Sequence, residues 1–160
     1  MTQDSENAGC QPSQRVSISF ASGAWEVREA LAQLKDRLAV MQLGAEHETT
    51  VELVVGEVLN NVVEHAYGPG QSGPIEVMCE REEAALHFCV RDSGRAFLGL
   101  QLPRGDPPDV DRVREELPEG GFGWYMVRNL ACGLGYTRDS DRNTLKFYIS
   151  LKVLEGESPS

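Results

Sequence analysis

Four stretches of this chain alternate apolar with polar residues, and each carries its apolar residues on one face alone. Val16, Ile18 and Phe20 alternate over residues 15–20; Ile75, Val77 and Cys79 form a second set, and Leu86, Phe88 and Val90 a third. Leu145, Phe147, Ile149 and Leu151 form the fourth, within residues 144–152. A two-residue period marks a strand with one buried face. Strands of a parallel sheet covered on both sides read instead as continuous apolar runs. The pattern therefore calls for a mostly antiparallel sheet covered by one layer. The polar residues 80–83 are the expected turn between the second and third strands, and a short further strand is expected near residues 136–138.

Helical periodicity supplies the covering layer. Val27, Leu31, Leu34, Leu38 and Met41 are spaced by fours and threes, which predicts a helix over 24–42 with Ser22 as its cap. Val51, Val54, Val55, Val58, Leu59 and Val62 predict a second helix over 46–66, ended by Tyr67-Gly68-Pro69-Gly70. A third, over 124–132, presents Met126, Val127, Leu130 and Ala131 and is opened by the glycine-rich segment 120–123. The expected fold is α+β: a two-layer sandwich of a mostly antiparallel, mixed sheet with three helices on one face. The 160 residues suit one domain. Residues 1–14 and 153–160 read as disordered tails around a folded part at 15–152. Residues 96–119, rich in proline, glycine and charge, read as a lid over a ligand or as a plain surface loop.

Charge narrows the partners. The formal net charge is -10, with only three lysines and no basic block, so nucleic acid is not expected as a partner. No apolar run reaches the ~20 residues needed to span a bilayer, and residues 1–14 lack the apolar segment of a signal peptide. A cytoplasmic location is the expectation. Cys10, Cys79, Cys89 and Cys132 form no CxxC pair and read as free thiols. His47, His65 and His87 lack zinc spacing.

Three short motifs carry chemistry. Glu57, Asn61 and His65 recur every four residues along one flank of the second helix. They are either satisfied boundary residues or a functional row. Asp92-Ser93-Gly94 ends the third strand; an Asp there can accept a hydrogen bond from an amino group such as N6 of adenine, and the same residues also make an ordinary turn. Gly120-Gly121-Phe122-Gly123 opens a helix whose first N–H groups lack internal partners, which suits phosphate. Each motif alone is a weak signal.

Together, in this order, they resemble the GHKL ATPases, whose Bergerat fold is shared by gyrase and the catalytic domains of histidine kinases. Glu57-Val58-Leu59-Asn60-Asn61 is similar to the family's N box, Asp92-Ser93-Gly94 to its first glycine box and Gly121-Phe122-Gly123 to its second. The first box lacks the family's usual second glycine, reading Asp92-Ser93-Gly94-Arg95-Ala96. His65-Ala66-Tyr67 and the run from Glu119 to Val127 look most like the RsbW-type anti-sigma-factor serine kinases.

The resemblance implies ATP and Mg²⁺ as cofactors. It implies Asn61 as a Mg²⁺ ligand, Glu57 as catalytic base toward a serine hydroxyl, and Asp92 with Gly94 as the adenine site. Gly121, Phe122 and Gly123 would line the phosphates, Thr144 would contact the nucleotide, and the segment 96–119 would be the ATP lid. Arg104, Arg112 and Arg114 are candidates to neutralise the transferring phosphoryl group, or solvated loop charges. The implied protein is a homodimeric serine/threonine kinase that binds a sigma factor or similar regulator and phosphorylates a small antagonist protein. A nucleotide-dependent binding module without kinase activity and a detached histidine kinase domain are the alternatives.

Overall fold

The computed structural model describes residues 14–105 and 121–152. Of the expected tail at 1–14 only Gln14 is described, and it opens the first strand; residues 1–13, the expected tail at 153–160 and the stretch 106–120, with Arg112 and Arg114, lie outside the described residues. The described elements run β1 (Gln14–Ala21), α1 (Ala24–Leu38), α2 (Ala45–Asn61), β2 (Pro74–Glu82), β3 (Ala85–Asp92), α3 (Gly121–Leu130), β4 (Cys132–Asp139) and β5 (Arg142–Ser150). Short 3₁₀ turns follow α1 at Ala39–Met41 and β3 at Leu98–Leu100.

The strands form one sheet in the order β1-β2-β3-β5-β4, and every pairing is antiparallel. The sheet is thus antiparallel throughout the described residues, in line with the mostly antiparallel sheet expected from the alternation. The register explains why alternation was so clear. Ile18 lies opposite Val77, Val77 opposite Val90 and Val90 opposite Leu145, so one apolar row crosses four strands. A parallel row joins Val16, Cys79, Phe88 and Phe147, the last two rings stacked at 5.1 Å. Both rows belong to one core with the buried faces of the helices. α2 packs against both α1 and α3, and its Val54, Val55 and Leu59 are fully buried. Each such aliphatic side chain contributes about 1.5–3 kcal/mol through burial. Within this core, burial pushes the Cys79 thiol up to about 12, so it stays a neutral packing group; Cys89 and Cys132 are free as well.

Several boundaries differ from the expectation. Ser22 does not cap α1: Gly23 holds the cap position without a side-chain bond. The Ser22 hydroxyl instead accepts the Gly73 N–H at 3.1 Å, fastening β1 to the start of β2. The β2–β3 turn is only Glu83 and Ala84, with Glu83 at φ 49. α3 starts at Gly121, inside the glycine segment, and β4 begins at Cys132, where the third helix was expected to continue.

The larger difference is at the end of α2. Residues Val62–Tyr67 form a π-helical turn, closed by the Gly68 N–H on the Val63 carbonyl at 3.0 Å. A wider turn changes the phase of the residues beyond it. An α-helical continuation would carry His65 toward the apolar stripe and Tyr67 away from it. The reverse is found: Tyr67 is buried and His65 is exposed. The Tyr67 hydroxyl donates to the Pro74 carbonyl at 2.7 Å and accepts the Ser93 N–H at 2.9 Å, and burial pushes its pKa up.

Replacing Tyr67 by Phe would leave both of those backbone groups unpaired. Tyr67→Phe is expected to destabilise the fold by about 1–3 kcal/mol, read as a lower urea midpoint at unchanged slope.

Candidate functional site

The site is built on α2, which packs against α3, and on the end of β3, which rests on the turn that follows α2. Asn61, the last residue of α2, is buried to 5% exposure although it is polar. Its Nδ2 donates to the Glu57 carbonyl at 2.7 Å. That bond orients the amide and leaves Oδ1 with no donor among the described residues. Glu57, one turn earlier, is half-buried, and its carboxylate lies on Gly123, in the first turn of α3: a Cβ added there would fall on Glu57 Oε2. The absence of a side chain at Gly123 is what lets the carboxylate approach that helix start. The unpaired first-turn N–H groups and the helix dipole make such an end attractive to anions.

The end of β3 is docked on the end of α2. A Cβ on Gly94 would stand 2.5 Å from the Ala66 carbonyl oxygen, a backbone atom that cannot swing away. The Arg95 N–H donates to the same carbonyl at 2.7 Å. Gly94 is therefore required by close backbone approach, and its contact brings Asp92 beside the α2 terminus.

Asp92 continues an apolar row: it lies opposite Ile75 on one side and Asn143 on the other. It is 7% exposed. Oδ1 accepts the Gly94 N–H at 2.9 Å and Asn143 Nδ2 at 2.8 Å. Burial pushes the carboxyl above its ordinary 3.8, against the pull of the Asn143 and Gly94 donors and the Arg138 charge. Oδ2 has no donor among the described residues.

Sequence reasoning overlooked Asn143. Its signal was present: Asn143 falls in phase with Leu145, Phe147 and Ile149, so a polar residue stands at a buried position. Thr144 falls in the other phase, with Lys146 and Tyr148, opposite Arg91 and Thr137. Thr144 therefore faces the side of the sheet away from Asp92, and Asn143 is the residue that touches that carboxylate. His65 likewise leaves the Glu57–Asn61 row, because of the π-helical turn.

The described part of the expected lid, 96–105, runs along α3. The Phe97 ring meets Trp124 edge-on at 6.0 Å, Arg128 Nε donates to the Pro103 carbonyl at 2.8 Å, and Gly105 lies against the Trp124–Tyr125 backbone. Arg104 is exposed. Among the described residues no cluster of His, Cys, Asp and Glu is arranged to hold a metal, and no helix is long and apolar enough to cross a membrane.

The half-buried Glu57 carboxylate and the oriented Asn61 amide thus stand on α2, with Gly123 at the start of α3 and the buried Asp92 at the end of β3. The family described as the histidine kinase-like ATPase domain matches residues 20–149, and the chain belongs to that family. Over 109 residues it is 28% identical to the serine-protein kinase RsbW of Bacillus cereus, covering 67% of this chain and 68% of that kinase. Over 98 residues it is 32% identical to the serine/threonine-protein kinase BtrW of Bordetella bronchiseptica, covering 60% and 66%. The chain thus spans about two thirds of the length of these relatives. Among solved structures it is similar to the histidine kinase domain of a blue-light activated histidine kinase from Erythrobacter litoralis. That match has 23% identity and a TM-score of 0.44, and it covers 78% of this chain and 61% of that one.

Two glycines should respond differently to the same change. Gly94→Ala drives a methyl into backbone and is expected to lower the melting temperature strongly. Gly123→Ala displaces only the Glu57 side chain, so its melting temperature should change much less; paired thermal melts check this.

Asp92→Asn tests the buried charge. A carboxyl whose folded pKa is raised above its unfolded value costs stability as pH rises through that window. The amide variant should therefore melt at a higher temperature than the parent at neutral pH. The gap should close below the ordinary carboxylate range, where the parent is neutral too.

Proposed function

We propose that this chain is an ATP-dependent protein serine/threonine kinase that acts as a regulatory switch. On this reading it binds a sigma factor or comparable regulator and phosphorylates a serine on a small antagonist protein. Family membership supports the nucleotide, and the kinases RsbW and BtrW among its relatives support the transfer to a protein hydroxyl. The observation that carries the reading is the Glu57 carboxylate resting on Gly123 with the oriented Asn61 amide one turn away. A pure binding module has less need of a carboxylate at the phosphate end.

The residues present fit Mg-ATP. Mg²⁺ favours oxygen ligands and is commonly held by one or two protein groups together with substrate phosphates, and Asn61 Oδ1 is such an oxygen. Gly94 admits the Ala66 carbonyl and Gly123 admits the Glu57 carboxylate, close approaches that a Cβ would exclude. Asp92 offers Oδ2 to the adenine amino group, with Gly94 beside it. Gly121, Phe122 and Gly123 lie at the α3 start, where backbone N–H groups hold phosphate oxygens. Bound Mg-ATP supplies the phosphoryl group and the metal charge that offsets it.

Glu57 acts as general base: it takes the proton of the attacking serine hydroxyl as the oxygen–phosphorus bond forms and the bond to the departing ADP breaks. Residues 15–152 form the ATP-binding domain, with 96–119 as its lid and Arg104, Arg112 and Arg114 as candidates to meet the phosphates. The phosphate added to the antagonist, of about −1.5 to −2 charge, then breaks its complex. The working unit is a homodimer in the cytoplasm, without nucleic acid or membrane as partner.

The test is transfer of labelled phosphate from ATP to purified serine-bearing antagonist candidates, beside calorimetric ATP binding. Glu57→Gln should bind ATP nearly as the parent does and lose about 10²- to 10⁴-fold in transfer. Full transfer by this variant would remove Glu57 as the base. ATP binding without transfer to any candidate by the parent would turn the reading to a nucleotide-dependent binding module.

A further inference from the structure

Asn143 is the most fully engaged polar side chain on the buried face of the sheet. It is 2% exposed. Its Nδ2 donates to Asp92 Oδ1 at 2.8 Å and to the Arg95 carbonyl at 3.0 Å, with the Gly94 carbonyl at 3.3 Å. Its Oδ1 accepts the Tyr136 hydroxyl at 2.7 Å and Arg138 Nη1 at 2.7 Å. The amide cannot be turned over. Reversal would set its oxygen against the Asp92 carboxylate and its NH₂ against the Arg138 guanidinium.

The hub reaches further than Asp92. Arg138 Nη1 also donates to the Gly94 carbonyl at 2.9 Å. The Tyr136 hydroxyl also accepts the Phe97 N–H at 3.1 Å, and the Phe97 ring meets Tyr136 at 5.0 Å as well as Trp124 in α3. Backbone groups at 94, 95 and 97, which carry the chain from β3 into the loop, are thus held by side chains of β4 and β5.

We infer that Asn143 is the positioning residue for base recognition. It occupies Asp92 Oδ1, so that Oδ2 alone is offered to an exocyclic amino group, and through Tyr136 it fixes the stem of the following loop in register with that carboxylate. The ligand class selected is a 6-aminopurine nucleotide over a 6-oxopurine one. Asp92 held this way is an acceptor only, and the 6-oxo group presents a second acceptor where the amino group would donate. The inference rests on the proposed reading that a nucleotide base meets Asp92.

The test is calorimetric binding of ATP and of ITP, each with Mg²⁺, to the full chain. Parent, Asn143→Asp and Tyr136→Phe are compared after melts confirm folding. The parent is expected to prefer ATP by about tenfold or more, since a site built to bond an NH rejects an analogue lacking it. Asn143→Asp keeps an acceptor for Tyr136 and Arg138 but turns the donor to Asp92 into a second carboxylate. The preference should fall to less than about threefold, through weaker ATP binding with ITP little changed. A merely structural loss would weaken both ligands alike and leave their ratio intact.

If Asn143→Asp does not fold, Tyr136→Phe decides, because it removes one hydroxyl and should still reduce the ratio by about threefold. A folded variant that keeps the parent's ATP preference overturns the positioning role while leaving the nucleotide reading standing. A parent that binds ATP and ITP equally overturns the base contact at Asp92 and with it the positioning role, whereas a parent that binds neither overturns the nucleotide reading.

Discussion

The contact between Gly94 and the Ala66 carbonyl joins two parts of the chain that the rest of the site depends on. It sets the end of β3 on the end of α2 with no side chain between them. The Arg95 N–H bonds the same carbonyl, and the Ser93 N–H bonds the Tyr67 hydroxyl. Three consecutive residues after Asp92 are thereby fixed to one helix terminus. The π-helical turn at Val62–Tyr67 is what presents that terminus: it rotates Tyr67 inward to meet Ser93 and Pro74. A regular helix end would have pointed another side chain there. π-helical turns are uncommon and concentrate at functional sites, and here the reason is geometric.

Asp92 shows the balance between stability and chemistry in this fold. Its position would suit another apolar side chain, since it lies in the row that holds Ile75 and next to the one that holds Val90. Burial raises the cost of its charge, and two donors and a nearby guanidinium offset part of that cost. Carboxyl groups shifted in this way by burial and specific partners are, in general, commoner at functional sites than elsewhere. Asn61 is a milder case of the same kind. It is buried, yet one of its two polar atoms is bonded to its own helix and the other is left available.

Much of this was legible in the sequence because periodicity and burial are directly coupled. Every apolar residue read on the α2 stripe is buried, and the four alternating stretches are strands of one sheet. The Asp92-Ser93-Gly94 motif rests on Ala66 and Tyr67, in the turn that follows the helix carrying Glu57 and Asn61. What was missed has two physical sources. The π-helical turn inserts an extra residue that composition does not reveal, so His65 was kept in a row it leaves. Thr144 is named by resemblance alone, whereas strand parity, already used for Leu145 and Phe147, puts Asn143 on the buried face beside Asp92. A one-residue offset in a strand exchanges faces completely, so parity decides which of these two neighbours meets that carboxylate.

The same parity gives the site its division of labour. Glu57, Asn61 and Gly123 gather where two helices meet, and Asp92 and Asn143 gather where two strands end. Phe97 bridges the two groups: its backbone N–H is held by Tyr136 of β4, and its ring lies against Trp124 of α3. A displacement of α3 therefore acts on Phe97, and a displacement of Phe97 acts on the Tyr136 hydroxyl that Asn143 accepts. Aromatic edge contacts are worth only about 0.5–1.5 kcal/mol each, so this bridge is soft compared with the sheet beneath it. The loop at 96–105 is thus held to the sheet and to α3 by these few contacts.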